Sequence, residues 1–300
     1  MSKLLKKARD FCADPQKRFY YLTRLGLTDH MSDEAFLKKK FKLIFGYDLD
    51  LDNPKTFNEK LQWLKLYNRR PEYTMMVDKY KVRDYIKEKL GEEYLIPLLG
   101  VWDDPDEIDF DSLPSQFVLK TNHDSGGICI CKDKSQLNVK KVKQKLKKSL
   151  SRDYYMSGRE WPYKNIPRKI ICEKYMEDES GSGLTDYKVL CFNGEPKLIE
   201  LHRGRFSGHH TQDFYDTDWN LTEYSQIDSP GSGMELRKPE FSDEMIRLSR
   251  ILAENIPHVR VDWYYVNGQL YFGELTFFDA SGFSAFAGNQ DLELGKMIKL

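Results

Sequence analysis

The sequence predicts an α+β fold. Three observations carry that reading. Helical periodicity fills residues 1 to about 95, strand-like segments take over from Phe117, and the pairs Asn193-Gly194 and Asn267-Gly268 stand between strands of alternating polarity. Helices that precede a run of antiparallel strands, rather than alternate with them, argue against a regular βαβ sheet.

Residues 3–25 are basic and patchily apolar (Leu4, Leu5, Phe11, Phe19, Tyr20, Leu22, Leu25), which fits either a helix docked on the protein or one resting on an anionic membrane surface. The basic start lacks the apolar stretch of roughly 7–15 residues that a signal peptide carries. Thr56 and Glu59 make a capping box ahead of a helix over 58–67, with Leu61, Trp63 and Leu64 near one face. A second amphipathic helix is expected over 77–90, ended by Gly91. The longest apolar run, 95–102, is too short to span a bilayer and contains Pro97 and Gly100. An acidic connector leads to strand 117–121, a loop over 122–127, and strand 128–131. The lysine-rich stretch 138–150 has an apolar helical stripe (Val139, Val142, Leu146, Leu150), so its lysines form either a solvated face or a polyanion site. Strand 169–176, a hairpin over 186–203 and a loop from Arg203 to about Glu240 follow. Helix 243–256 precedes the last hairpin. The expected organisation is a helical segment over 1–75, a first lobe over 76–172 and a second over 173–300.

Composition narrows the function. A chain of 300 residues is long for one core and typical of two lobes. Its 47 basic residues balance 47 acidic ones, so a basic groove for nucleic acid is not indicated. Five cysteines, at 12, 129, 131, 172 and 191, form no CxxC pair, and an odd number without a framework points to the cytoplasm.

The last hairpin carries the chemistry. Alternation puts Arg260 and Asp262 on one face of the first strand, and Glu274 and Thr276 on one face of the second. Two carboxylates and a hydroxyl are hard oxygen ligands suited to magnesium bound with phosphates. A two-residue turn pairs Val261 with Glu274 and turns Asp262 away. A three-residue loop, 267–269 with Gly268 left-handed, pairs Asp262 with Glu274 and Arg260 with Thr276. The metal reading therefore requires the longer loop; the alternative is an ordinary hairpin with a polar face.

Lys120 is a cation inside an apolar strand, and burying it demands an anion. The loop after it ends in Ser125, Gly126 and Gly127, whose backbone N–H groups can cradle phosphate. Glu173, Tyr175 and Met176 end an apolar strand, where backbone groups can meet a purine and a following acid a ribose. Asp186 and Lys188 share a face, so Lys188 either neutralises a terminal phosphate or forms a cross-strand ion pair. His209 and His210 stand without an acid or cysteine at ligand spacing and read as substrate-loop or surface residues.

The segments "VDKYKVR", "FVLKTNHDSGG", "CEKYM", "DYKVLCFNGEPKLIELHR" and "RVDWYYVNGQLYFGELTFFDASG", in this order, resemble the ATP-grasp superfamily. "NPKTFNEKLQWLKLY", "DKYKVRDYI", "YLIPLLGVW" and "LPSQFVLKTNHDSGG" are similar to its TupA-like branch, which is associated with teichuronopeptide and other surface-polysaccharide biosynthesis. The resemblance implies an ATP-grasp fold, two α+β lobes clamping ATP between antiparallel sheets. It implies that Lys79 and Lys120 contact ATP phosphates, that Ser125, Gly126 and Gly127 form the phosphate lid, and that Glu173, Tyr175 and Met176 form the adenine hinge. Glu177 or Asp178 would bind ribose, and Lys188 would sit near the γ-phosphate. Asp262 and Glu274 match magnesium ligands, with Thr276 where the family usually has Asn. Arg260 matches the arginine that holds a tetrahedral oxyanion. Arg203, Arg205, His209, His210 and Ser281 are the candidate acceptor residues.

The implied activity is that of an ATP- and Mg²⁺-dependent, ADP-forming carboxylate–amine ligase acting through an acylphosphate. By family analogy it joins an amine or amino acid to a uronic-acid carboxylate in a capsule or other cell-envelope polysaccharide. The implied location is cytoplasmic, with peripheral contact at the inner face of the membrane with membrane-bound polysaccharide machinery. The alternatives are a glycan-modifying glycosyltransferase, an ATP-dependent phosphotransferase and a non-catalytic nucleotide-binding subunit of an assembly complex.

Overall fold

The computed structural model describes residues 11, 13–177, 184–203, 211–229 and 231–300. Its helices are α1 (Pro15–Arg24), α2 (Asp33–Phe45), α3 (Phe57–Tyr67), α4 (Glu72–Val77), α5 (Val82–Lys89), α6 (Val139–Leu150), α7 (Tyr155–Gly158), α8 (Ser242–Leu252) and α9 (Gln290–Met297). Its strands are β1 (Leu98–Trp102), β2 (Phe117–Thr121), β3 (Ile128–Cys131), β4 (Ile170–Lys174), β5 (Asp186–Phe192), β6 (Glu195–Arg203), β7 (Thr211–Asp216), β8 (His258–Val266) and β9 (Gln269–Thr276). They form two antiparallel sheets of order β1-β4-β2-β3 and β7-β6-β5-β8-β9, an α+β arrangement.

Each sheet has its own core. On the first, Val142 and Leu146 of α6 pack on Phe117, Leu119, Ile170 and Cys172. The α6 lysines lie outside that stripe, and Lys143 and Lys147 pair with Asp106. On the second, Met245, Leu248 and Leu252 of α8 belong to one core with Val189, Val261, Trp263 and Leu275. Trp263 Nε1 donates to Ser249 Oγ across 2.9 Å, which satisfies the buried indole.

Helix α3 joins the core of the second sheet through Phe57, Leu61 and Leu64. Thr56 and Glu59 form the expected capping box. Asn58 Nδ2 donates to Ser284 O at 2.8 Å and to Asp291 Oδ1 at 2.9 Å, and Lys60 Nζ donates to Ile298 O at 2.7 Å. Phe19, Phe36, Leu37 and Phe41 make a separate small core over α1 and α2.

The structure departs from, or adds to, the sequence reading in four places. The helix expected over 77–90 breaks after Val77. There Asp78 Oδ1 accepts from Tyr80 N at 2.9 Å and Lys81 N at 3.3 Å, a local turn that competes with the helix ladder. The apolar run 95–102 holds β1, an edge strand with an irregularity beside Gly100 and no clean alternation. The stretch read as a loop from Arg203 to Glu240 contains β7, which pairs with β6 from Thr211 to Asp216. The helix expected over 243–256 stops at Leu252. Glu173 and Lys174, at the end of β4, pair with Val118 and Phe117.

The last hairpin reaches its register by another route than the one expected. Val266 pairs with Gln269, so the loop has two residues, with Asn267 and Gly268 both left-handed at φ 49° and 86°. A bulge at Gly273 then advances β9 by one residue, so that Asp262 faces Glu274 and Arg260 faces Thr276. A side chain at Gly273 would meet Asp262 O at 3.0 Å, so the bulge favours glycine. The three-residue loop is therefore not needed for the pairing.

Cys129, Cys131, Cys172 and Cys191 are free thiols; Cys12 lies outside the described residues. Among the described residues, no helix is long and apolar enough to cross a membrane.

Candidate active site

Alternation on β8 sends Val261 and Trp263 into the core and Arg260 and Asp262 to the other face. Cross-strand pairing extends this into a polar row, Glu274–Asp262–Lys188–Glu200, drawn from β9, β8, β5 and β6. Asp262 is 3% exposed, and both of its oxygens carry cations. Arg260 Nε lies 2.7 Å from Oδ1 and Arg260 Nη2 lies 2.8 Å from Oδ2, while Lys188 Nζ also holds Oδ2. Arg260 Nη1 binds Asp279, and Nη2 reaches Thr276 Oγ1 at 3.3 Å and Glu274 Oε1 at 3.6 Å.

Burial works to raise the Asp262 carboxyl, but the charges of Arg260 and then Lys188 outweigh it and hold it down at about 2. Burial also works to raise Glu200, and the His202 hydrogen bond, then Arg260, keep it below the ordinary range. Burial pushes the Asp279 carboxyl up against the pull of Arg260. Glu200 Oε1 accepts from Gln212 and lies 2.6 Å from His202 Nε2. Glu200 Oε2 is buried and, among the described residues, accepts no hydrogen bond.

The oxygens of Asp262, Glu274 and Thr276 fit magnesium as a donor set. They are hard, come from facing positions of one hairpin, and already surround one cationic nitrogen, Arg260 Nη2. Among the described residues, no cluster of three or more His, Cys, Asp or Glu has metal-holding geometry, so this set is two carboxylates and a hydroxyl.

The first sheet contributes from the opposite side. Lys120 Nζ lies 2.5 Å from Glu173 Oε2, the anion that its place in an apolar strand demanded. Arg83 Nη1 stands 3.4 Å from the other oxygen of Glu173. The break before α5 frees Lys79: its backbone N donates to Asn122 O, and its Nζ donates to Asp124 O at 2.9 Å. The same Nζ is 3.7 Å from Glu274 Oε2, so one lysine ties the glycine loop of the first sheet to the acids of the second.

The loop itself is pinned at its base. Buried Asp124 accepts from the hydroxyls of Thr121 and Ser149. A Cβ at Gly127 would come within 1.8 Å of Thr121 Oγ1 and 2.3 Å of Ser149 Oγ, so a side chain here would displace the hydroxyls that hold Asp124. Gly126 has φ 98° and open space around it, and Ser125 is exposed. Tyr175 and Met176 follow β4 and are half-buried, and Lys132 Nζ lies 5.8 Å from the centre of the Tyr175 ring.

The structure therefore brings together Lys79, Lys188, Arg260, Asp262, Glu274 and Thr276, with Lys120 and Glu173 on the facing sheet. Arg203 is engaged elsewhere, by Asp213 at 2.8 Å and by Ser232. Ser281 Oγ accepts from the buried Lys65 at 3.0 Å. Asp178, Arg205, His209 and His210 lie outside the described residues. Glu200, Asp279 and Arg83 join the network without having been singled out from sequence. Glu200 interrupts an apolar strand just as Lys120 does, so the same signal marks it. Asp279 lies beyond the end of β9, where no period applies.

The family model described as TupA-like ATPgrasp matches residues 59–299. Among curated proteins nothing matches. A D-alanine–D-alanine ligase from Bacillus anthracis complexed with ATP aligns at 15% identity and TM-score 0.42, covering 68% of this chain and 54% of that one. This chain thus spans about half the length of that ligase chain. A second structure of D-alanine–D-alanine ligase from the same organism aligns at 14% identity and TM-score 0.44, covering 88% and 83% of the two chains. The corresponding ligase from Helicobacter pylori aligns at 12% identity and TM-score 0.43, covering 82% and 70%.

Proposed function

The chain belongs to the TupA-like ATP-grasp family, and from that premise we propose that it is an ATP- and Mg²⁺-dependent carboxylate–amine ligase. The reaction runs through an acylphosphate, and the carboxylate belongs to a uronic acid of a surface polysaccharide or its precursor. The observation that carries this reading is the contact of Lys79 with both Asp124 O of the glycine loop and Glu274 of the acid hairpin. A phosphate cradled at that loop would lie beside the carboxylate of Glu274.

Lys79 presents its ammonium group from the break before α5, Lys120 from the first sheet and Lys188 from the second, so a triphosphate lying between them meets cations on both sides. Asp262, Glu274 and Thr276 would hold magnesium, which when bound would supply charge that offsets the repulsion between nucleophile and phosphates. Arg260 is placed to stabilise an oxyanion beside that row, a contribution worth about 2.7–4 kcal/mol in barrier terms. The loop at Ser125–Gly127 shields the reacting carboxylate from water. The exposed apolar side chains Phe11, Tyr20, Leu25 and Leu27, beside Lys17, Arg18 and Arg24, support peripheral contact with membrane-bound polysaccharide machinery.

The test is ADP release with paired uronates and amino acids, followed by product mass. A ligase releases one ADP per amide formed. A product that gains a sugar or a phosphate overturns the reading. Glu274→Gln should stay folded and lose at least a hundredfold in turnover, and near-normal turnover would remove the metal assignment.

A further inference from the structure

The three oxygens assigned to a divalent ion already surround a cation of the protein. Arg260 Nη2 lies 2.8 Å from Asp262 Oδ2, 3.3 Å from Thr276 Oγ1 and 3.6 Å from Glu274 Oε1. The opposite nitrogen, Nη1, is held by Asp279. One guanidinium thus spans two acid seats, one on the strands and one on the turn that follows β9.

Lys188 Nζ also holds Asp262 Oδ2, and Lys79 Nζ stands 3.7 Å from Glu274 Oε2, so a divalent ion entering the first seat meets three cations, of which the guanidinium lies among all three oxygens. Arg260 is 9% exposed, and at this burial like charges a few ångströms apart repel strongly. A guanidinium pushed off Asp262 with no other anion at hand would be a stranded buried charge, which is severely destabilising. Asp279 removes that difficulty, and its own position is fixed from elsewhere. The turn after it holds Ala280 and Ser281 at φ 43° and 58°. Helix α3 braces that turn, with Lys65 Nζ donating to Ser281 O at 2.7 Å and Gln62 Nε2 to Gly282 O at 2.6 Å. The second seat is therefore anchored independently of the arginine.

We propose that Arg260, alongside Lys188, is a resident cation of the metal site, the one that spans all three of its oxygens, and that Asp279 is a positioning residue that receives it. When the oxygens of Asp262, Glu274 and Thr276 turn to a divalent ion, Arg260 gives up those contacts and stays on Asp279. This rests on the metal assignment made above. It follows that the site resists a lone ion and accepts one that arrives with the negative charge of a triphosphate.

Manganese binding tests this without turnover. Free Mn²⁺ is followed by electron paramagnetic resonance during titration of the full chain, with and without a non-hydrolysable ATP analogue. The set is wild type, Arg260→Gln, Asp279→Asn and the double variant. Without nucleotide, Arg260→Gln should bind Mn²⁺ at least tenfold more tightly than wild type. With the analogue, Asp279→Asn should bind about tenfold more weakly. That loss should vanish in the Arg260→Gln background, because Asp279 acts through the arginine. An unchanged nucleotide-free affinity in Arg260→Gln, or an equal loss from Asp279→Asn in both backgrounds, overturns the proposal. If Arg260→Gln does not fold, Arg260→Lys replaces it in the cycle: one ammonium cannot span both acids, so Asp279→Asn should again lose its effect. Failure of wild type to bind Mn²⁺ even with the analogue is a distinct result, which removes the metal assignment itself.

Discussion

Asp262 shows how single residues set this site's chemistry. Its carboxyl is held at about 2, against an ordinary value of 3.8 that the unfolded chain keeps. A depressed carboxyl adds stability that is fully present above pH 4 and is lost as pH falls toward 2. The urea-unfolding free energies of wild type and Asp262→Asn should therefore differ by on the order of 2 kcal/mol near neutrality. The gap should close between pH 4 and 2; a gap that stays constant would contradict the ion-pair cause. Gly127 and Gly126 make a paired test. Gly127→Ala forces a methyl into the Thr121, Asp124 and Ser149 hydroxyl–carboxylate cluster, and should cost on the order of 2–3 kcal/mol in urea unfolding. Gly126→Ala meets only backbone strain at φ 98° and should cost about 1 kcal/mol. Some of this was legible in the chain: a lysine inside an apolar strand called for an anion, and Glu173 supplies it. Glu200 carries the same mark, whereas nothing local marks Asp279, because its role depends on Arg260, 19 residues upstream, folding beside it.

Among the elements, breaks matter more than regular stretches. Amphipathicity over 77–90 predicts one helix, and it is the interruption at Asp78 that places Lys79. Asp78 Oδ1 takes the Tyr80 and Lys81 amides and also Asn122 Nδ2 at 2.8 Å, which joins the break to the phosphate loop. Asp78→Ala should cost roughly 1–2 kcal/mol, as loss of a capping side chain does. It should also weaken binding of an ATP analogue about tenfold by calorimetry, because Lys79 loses its anchor. Unchanged nucleotide affinity would detach Lys79 from the phosphates. The last hairpin makes the same point. Turn chemistry at Asn267-Gly268 was readable, but the bulge at Gly273 was not, since a glycine inside a strand admits several local geometries. The same device recurs in the β5–β6 hairpin, where a two-residue turn at Asn193-Gly194 is followed by a register shift past Cys191.

At the scale of the whole molecule, helix α3 packs on the second sheet. Phe57 of α3 packs edge-on against His258 at 5.0 Å, and Phe192 lies 4.9 Å from the same ring. Burial lowers His258 to about 4 from 6.5, so the folded chain keeps it neutral. The unfolded chain takes up that proton as pH falls through 6.5, and stability then declines until the folded form is also protonated near pH 4. Wild type should lose on the order of 3 kcal/mol more than His258→Phe between pH 7 and 4 in urea unfolding. Parallel pH profiles for the two would show that the imidazole is not held neutral at this junction.

Periodicity, capping residues and turn pairs determined the class of the fold, most helices and strands, and Lys120, Lys188, Arg260, Asp262 and Glu274 as candidates, whereas Lys79 came only from the family resemblance. Periodicity, caps and turns are local properties, set by backbone geometry and by which faces avoid water. Only the tertiary structure decided that Asp262 faces Glu274 through a bulge, that Lys79 leaves its helix to bridge two sheets, and that Arg260 sits between Asp262 and Asp279. Each of these is a contact between segments far apart in the chain or an irregularity within one, and the energy that selects it comes from burying charges in pairs.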